Sequence, residues 1–215
     1  MIPSMGRPVT IGSTAAQAAT CWRAALEIWE IEGQGRDTVE VHYHDYYHMP
    51  KNVEDVVSFD PDHTYIYGND LANRMTGNAV INTLLGGGGD DTIIGNGGDD
   101  WLEGGASEDR LEGGAGNDLL DGGAQGDLLL GRAGSDTFRF MTDGDSGYAV
   151  RSDGKKLLPD VIGDFVSGVD KIDLSFIDAV SDAVSQTLGY ESFTYIGANS
   201  FSRRAGELRI NIGDG

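Results

Sequence analysis

Gly86-Gly-Gly-Gly-Asp-Asp-Thr-Ile-Ile94, Gly95-Asn-Gly-Gly-Asp-Asp-Trp-Leu-Glu103, Gly104-Gly-Ala-Ser-Glu-Asp-Arg-Leu-Glu112 and Gly113-Gly-Ala-Gly-Asn-Asp-Leu-Leu-Asp121 are consecutive nonapeptides with Gly in first place, Asp in sixth and an aliphatic residue in eighth. The register runs outward in both directions, with first-place glycines at Gly68, Gly77, Gly122 and Gly131 as well. The sixth place reads Asn73, Asn82, Asp91, Asp100, Asp109, Asp118, Asp127 and Asp136, and the eighth reads Met75, Leu84, Ile93, Leu102, Leu111, Leu120, Leu129 and Phe138. A fixed short period of this kind is the pattern of a coil that stacks on itself, each unit burying its apolar residue against its neighbours.

Glycine supplies the turns and the three residues that follow make a strand, so two repeats close one circuit and successive turns fall on alternate edges. The expected fold is all-β: a parallel β-roll, that is, a two-sheet solenoid, with eighth-place residues pointing into a narrow core. On one edge Asp91, Asp109 and Asp127 stack; on the other, Asp100, Asp118 and Asp136. Carboxylates one turn apart, roughly 5 Å, repel unless a cation lies between them. Calcium takes six to eight hard oxygen ligands, and a glycine-rich turn can aim carbonyls at the point where the Asp adds charge. About four well-formed calcium sites are expected, flanked by Asp on both sides, with weaker ones at Asn73 and Asn82. Ser107 and Gln125 stand where a glycine with positive φ is expected, both on the Asp91 edge, so that edge is predicted to bind more weakly.

The 215 residues carry a formal charge of −20 and a composition of 39% hydrophobic residues, with 33 glycines. The acidity argues against a nucleic-acid partner and for cations. No apolar run is long enough to span a bilayer, the N-terminus lacks a signal-peptide hydrophobic region, and the lone Cys21 excludes an intramolecular disulfide. One apolar residue in nine is a thin core against the backbone entropy of so much glycine. Bound metal is the natural supplement, and its binding free energy then becomes folding free energy.

Four segments are expected along the chain. Residues 1–33 hold a helix from about 14 to 32, with Thr14 and Gln17 in capping-box spacing and Ala18, Trp22, Leu26 and Trp29 on one face. Residues 34–67 alternate as strands and form early, non-calcified rungs; extending the period backwards places Val57 and Ile66 at the inward position. The repeats occupy 68–140. Residues 141–215 form a mixed cap, with a polar loop from Met141 to Lys156, a short helix near 178–188, and strands at Phe193-Thr-Tyr-Ile and Gly206-Glu-Leu-Arg-Ile.

The repeats resemble those of the RTX (repeats-in-toxin, haemolysin-type) calcium-binding proteins, whose pattern is G-G-x-G-x-D-x-U-x. Gly134-Ser-Asp-Thr-Phe-Arg-Phe, Pro159-Asp-Val-Ile-Gly-Asp-Phe and Gly168-Val-Asp-Lys-Ile-Asp-Leu-Ser look like the C-terminal domain of serralysin-type metalloproteases. The resemblance implies calcium ligation by first- and third-place carbonyls: Gly86 and Gly88, Gly95 and Gly97, Gly104 and Ala106, Gly113 and Ala115, Gly122 and Ala124, Gly131 and Ala133. It implies one further ion at Asp160 and Asp164. It also implies export by a type I secretion machinery and service as the folding and secretion module of an extracellular exoprotein. The chain stops at Gly213-Asp-Gly, so the C-terminal secretion signal usual in such proteins is expected to be missing or shortened.

The zinc signature H-E-x-x-H-x-x-G-x-x-H of the serralysins does not occur in the chain, and protease activity does not carry over. The expectation is no enzyme, with any catalytic partner domain unknown. His42, His44 and His48, with Asp45 and His63, are the remaining candidates for a zinc site, against the plainer reading of a polar strand edge. A self-standing structural or adhesive extracellular protein, and a fragment of a serralysin-like metalloprotease without its catalytic domain, are the alternatives to a folding and secretion module.

Overall fold

A computed structural model describes residues 9–11, 35–42, 46–141, 160–176, 194–195 and 207–208. The helix expected over 14–32, the one near 178–188, most of the Met141–Lys156 loop, and His44 with Asp45 lie outside the described residues.

The chain forms strands β1 (Val9–Ile11), β2 (Thr38–Val41), β3 (Tyr46–His48), β4 (Asp55–Ser58), β5 (Thr64–Tyr67), β6 (Arg74–Thr76), β7 (Asn82–Gly88) and β8 (Thr92–Gly97). They continue as β9 (Trp101–Ala106), β10 (Arg110–Ala115), β11 (Leu119–Ala124), β12 (Leu128–Ala133), β13 (Thr137–Arg139), β14 (Val161–Ile162), β15 (Lys171–Asp173), β16 (Thr194–Tyr195) and β17 (Glu207–Leu208). The even-numbered strands from β2 to β14, with β1 at the end, make one parallel sheet, and the odd-numbered strands from β3 to β15 make the other. β16 and β17 pair separately, in parallel.

Parallel strands usually need a long crossover to return to the same sheet. Here three residues suffice between repeats, because the chain crosses to the facing sheet instead: Gly98-Asp-Asp100 links β8 to β9, and Ser107-Glu-Asp109 links β9 to β10. Arg110 pairs with Thr92 and Leu128 with Arg110, an eighteen-residue circuit of two repeats. The strands are longer than the expected three residues. β8 to β12 each run six, because the first three residues of the next repeat stay in the ladder, as in the Gly88 N–H to Asn69 carbonyl bond of 2.9 Å.

Every eighth-place residue from Met75 to Phe138 is fully buried, and these side chains form the single core between the sheets. Their neighbours on either side in the strand face outward and are mostly half-buried or exposed, the period-two alternation of a sheet with one wet face, although Thr83, Asp121 and Leu130 are covered. Ile66 is buried as the backward extension of the register requires, but Val57 is not: Val56 is inward and opposite Met75, and Val57 is half-buried on the outer face. The turn Phe59–His63 holds one residue more than the period allows, and in a strand a slip of one reverses every side chain.

The roll also continues past residue 140. β14 joins β12 in one sheet and β15 joins β13 in the other, with Ile162 against Leu129 and Ile172 against Phe138. What the sequence suggested was wholly a cap thus contributes a further rung.

Candidate metal centres in the turns

Each sixth-place Asp immediately precedes a strand, so its backbone belongs to the turn and its side chain points along the stack. Oδ1 of Asp109 accepts the backbone N–H of Asp91 at 2.7 Å, and Oδ1 of Asp127 that of Asp109 at 2.7 Å. On the second edge Asp118 accepts from Asp100 at 2.8 Å and Asp136 from Asp118 at 3.0 Å. Both ladders continue beyond the repeats: Asp160 accepts from Asp127 at 2.9 Å, and Asp170 from Asp136 at 3.1 Å. Each carboxylate therefore finishes the turn one circuit before its own.

The second oxygen is the informative one. Oδ2 of Asp91, Asp100, Asp109 and Asp118 is buried and accepts no hydrogen bond. It faces the first-place glycine of its own repeat in all four and, for Asp91, Asp100 and Asp109, the first-place carbonyl one circuit on. A Cβ built on Gly86 would collide with Asp91 Oδ2 and lie 2.6 Å from the Gly104 carbonyl oxygen; Gly95 stands likewise to Asp100 and Gly113, and Gly104 to Asp109 and Gly122. The glycine thus leaves open a small cradle walled by oxygen, and in a protein interior a buried polar atom ordinarily has a partner.

Burial with so little hydrogen bonding pushes these carboxyls up: Asp91 to about 7, Asp100 and Asp109 to about 8, and Asp118 to about 6. Asp136 is raised by the same cause. The backbone N–H of the preceding turn pulls each back, and neighbouring carboxylates add a smaller upward push, Asp118 on Asp100 and Asp91 and Asp127 on Asp109. A hard cation reverses this balance by stabilising the ionised form. An oxygen-only environment of carboxylate plus carbonyls suits calcium. The residues present fit that ion. Among the described residues no three His, Cys, Asp or Glu side chains cluster to hold a metal, so an ion in these turns would take most of its ligands from main-chain carbonyls.

The two edges differ in backbone detail. Ser107 (φ 94°) and Gln125 (φ 88°) do take positive φ, as their place in the first edge requires. The second edge has its own non-glycine residues in this region, Asn96 (φ 75°) and Arg132 (φ 77°), at a second position that also needs positive φ. These lie nearer the left-handed well, where Asn is well tolerated. The second edge also gains bonds between turns, from Gly98 N–H to the Ala115 carbonyl and from Gly116 N–H to the Ala133 carbonyl, each 2.9 Å.

Asn73 and Asn82 occupy the sixth place but are engaged by protein. Oδ1 of Asn73 accepts the Asn69 N–H at 3.0 Å, and Oδ1 of Asn82 accepts the Asn78 N–H at 2.8 Å. Asp160 and Asp164 sit at opposite ends of β14, so they face different turns; Asp164 accepts the Gly131 and Arg132 N–H groups, each at 3.0 Å. Asp170 was missed by the sequence reading, although Asp170-Lys-Ile repeats the Asp-x-aliphatic triplet of the nonapeptides.

The described histidines, His42, His48 and His63, do not converge. His42 follows β2 and stacks on Phe59 at 5.1 Å, whereas His48, in the other sheet, stacks on Tyr67 at 4.3 Å. His63 stacks on Tyr65 at 4.3 Å and meets Thr83 Oγ1 at 3.3 Å.

No curated protein matches the chain. The family described as peptidase M10 serralysin C terminal matches residues 68–212, which takes in the repeats, the Asp ladders and the segment carrying Asp160, Asp164 and Asp170. With most of its length inside that match, the chain belongs to the serralysin C-terminal family of peptidase M10.

Proposed function

We propose that this chain is a calcium-binding β-roll that folds on meeting calcium and acts as the folding and export module of a secreted protein. Ions lie between stacked turns, in the four gaps between Asp91 and Asp109, Asp109 and Asp127, Asp100 and Asp118, and Asp118 and Asp136. Oδ2 and the first- and third-place carbonyls hold them. The observation that carries the reading is the set of buried carboxylate oxygens without a donor at Asp91, Asp100 and Asp109, each beside a carbonyl and a glycine that leaves room.

Bound calcium supplies the positive charge that lets the carboxylates stay ionised in the interior; the chain supplies spacing, oxygen ligands and a core that aligns them. Extracellular calcium modules bind at about 10⁻⁴ to 10⁻³ M, so such a roll is empty where calcium is scarce and filled outside the cell. The family relationship supports extracellular service and a type I secretion partner, and it relates the chain to the C-terminal rather than the catalytic part of these proteins. The module itself is proposed to have no catalytic role.

Circular dichroism and thermal melts in chelator and in millimolar calcium test this. Strand signal and melting temperature should both rise with calcium and return to the starting values on chelation. Identical spectra and melts in the two conditions would sink the reading.

A further inference from the structure

The first two repeats differ from the rest in a way the sixth place alone does not reveal. Both read Gly-Asn-x-x-x-Asn: Gly68-Asn69 to Asn73, and Gly77-Asn78 to Asn82. At Asp91, Asp100, Asp109 and Asp118 the inward oxygen has no donor. In the Asn turns the same place in space is closed. The second-place N–H points at the sixth-place Oδ1, and the sixth-place amide donates back to the second-place Oδ1, at 3.2 Å for Asn73 to Asn69 and 3.1 Å for Asn82 to Asn78.

The remaining amide hydrogens go onto carbonyl oxygens of neighbouring turns. Asn69 Nδ2 donates to the Pro50 and Val53 carbonyls at 2.7 and 2.8 Å, and Asn73 Nδ2 to those of Val53 and Glu54 at 3.2 and 3.3 Å. Asn78 Nδ2 reaches the Asp60 carbonyl, and Asn96 Nδ2 the first-place Gly77 carbonyl at 2.9 Å. Asn73 and Asn82 are buried, neutral and fully engaged. A carboxamide carries donors and an acceptor on one group, so it can satisfy such a turn without charge. A carboxylate has acceptors only.

We propose that the pairs Asn69–Asn73 and Asn78–Asn82 replace the metal ion in the first two turns, so that this end of the roll is ordered without calcium and gives the Asp turns a formed edge to stack on. The inference rests on the calcium reading for the Asp turns and assigns the boundary of that requirement to residue 85. It also explains why the ladder begins where it does: Asp91 Oδ1 accepts the Asn73 N–H at 2.8 Å and Asp100 Oδ1 the Asn82 N–H at 2.7 Å, so the first carboxylate on each edge docks onto an amide-closed turn.

Hydrogen exchange read by mass spectrometry on the whole chain, with and without calcium, tests it. Amides of 64–85 should be protected in chelator, and those of 89–136 only in calcium. In the double variant N73D/N82D, protection of 64–85 in chelator should fall by about tenfold or more, because a carboxylate leaves the turn carbonyls without their donors. Calcium should restore it. Wild-type 64–85 gaining protection only at the same calcium concentration as 89–136 would overturn the proposal, as would a double variant as well protected in chelator as the parent. No response to calcium anywhere, with 64–136 protected throughout, would overturn the calcium reading itself and this proposal with it.

Discussion

The Asn turns at 68–82 and the Asp turns that follow share a backbone path, a ladder and a buried core, yet they resolve the same electrostatic difficulty in opposite ways. In both, carbonyls crowd a glycine-lined point on the edge of the roll. The Asn turns answer with amide hydrogens held in the chain, and Asp91, Asp100, Asp109 and Asp118 leave a buried carboxyl oxygen without a donor. What differs is where the positive end of the dipole or charge comes from, and hence whether the turn responds to its surroundings. A fold can therefore be conditional over part of its length while keeping one architecture.

The largest expected effect separating the two regions is that of pH on the metal-free chain. The Asp carboxyls have folded values of about 6 to 8, above the ordinary 3.8. A group raised in this way binds more protons folded than unfolded, so stability falls as pH rises. The penalty is absent below about pH 4, where both states are protonated, and complete above about pH 8. In chelator the Asp turns should thus gain exchange protection between pH 8 and 5, while the Asn turns change little. With calcium bound the carboxylates stay ionised, so the slope vanishes across this range and reverses only below about pH 4, where the unfolded chain takes up protons that the calcium-bound fold does not. Denaturant melts across pH in both conditions check the two signs.

Next in size is the core, where the regions should behave alike. Leu111→Ala and Met75→Ala each remove a fully buried side chain, and each should cost about 2–5 kcal/mol in calcium. A much smaller cost at Met75 in denaturant melts would break the picture of one continuous core. Gly104→Ala acts only on the Asp side, placing a methyl group against Asp109 Oδ2 and the Gly122 carbonyl. It should remove an ion by calorimetric count and about 2–3 kcal/mol of stabilisation at a hundredfold excess of calcium over Kd. The smallest effect concerns the difference between the two edges. Ser107→Gly or Gln125→Gly, by relieving positive φ, should raise stability by about 0.5–1 kcal/mol, the strain relief being partly offset by glycine's entropy. Arg132→Gly is the control on the second edge, and an equal gain there would remove the asymmetry.

Much of this was legible in the sequence because the period couples three properties at once. Where Gly, acid and aliphatic residues keep step, as from Gly86 to Phe138, they define the circuit, the inward residues and the stacking partners together. Where the chain leaves the period the reading slips. A single added residue in Phe59–His63 turned Val57 outward, and the stretch separating Asp136 from Asp170 hid the last member of its ladder. The positive φ at Ser107 and Gln125 followed from the glycine pattern, whereas the second-place requirement went unseen because Asn96 and Arg132 break its glycine run. The pairing of Asn69 with Asn73 was unreadable for a different reason: an Asn in sixth place looks like a weakened Asp until its partner is known.

The eighteen-residue circuit sets the unit in which such a chain can grow or shrink. Removing two repeats, for instance residues 95–112, would carry β7 onto strands of the same two sheets and leave Asp160 and Asp170 each under its own edge. Removing one repeat would exchange the sheets for everything downstream, so that Asp160 would arrive beneath the ladder that Asp170 completes. Lineages of this roll should therefore vary in length by even numbers of nonapeptides, because an odd change has to be repaired at the C-terminal end.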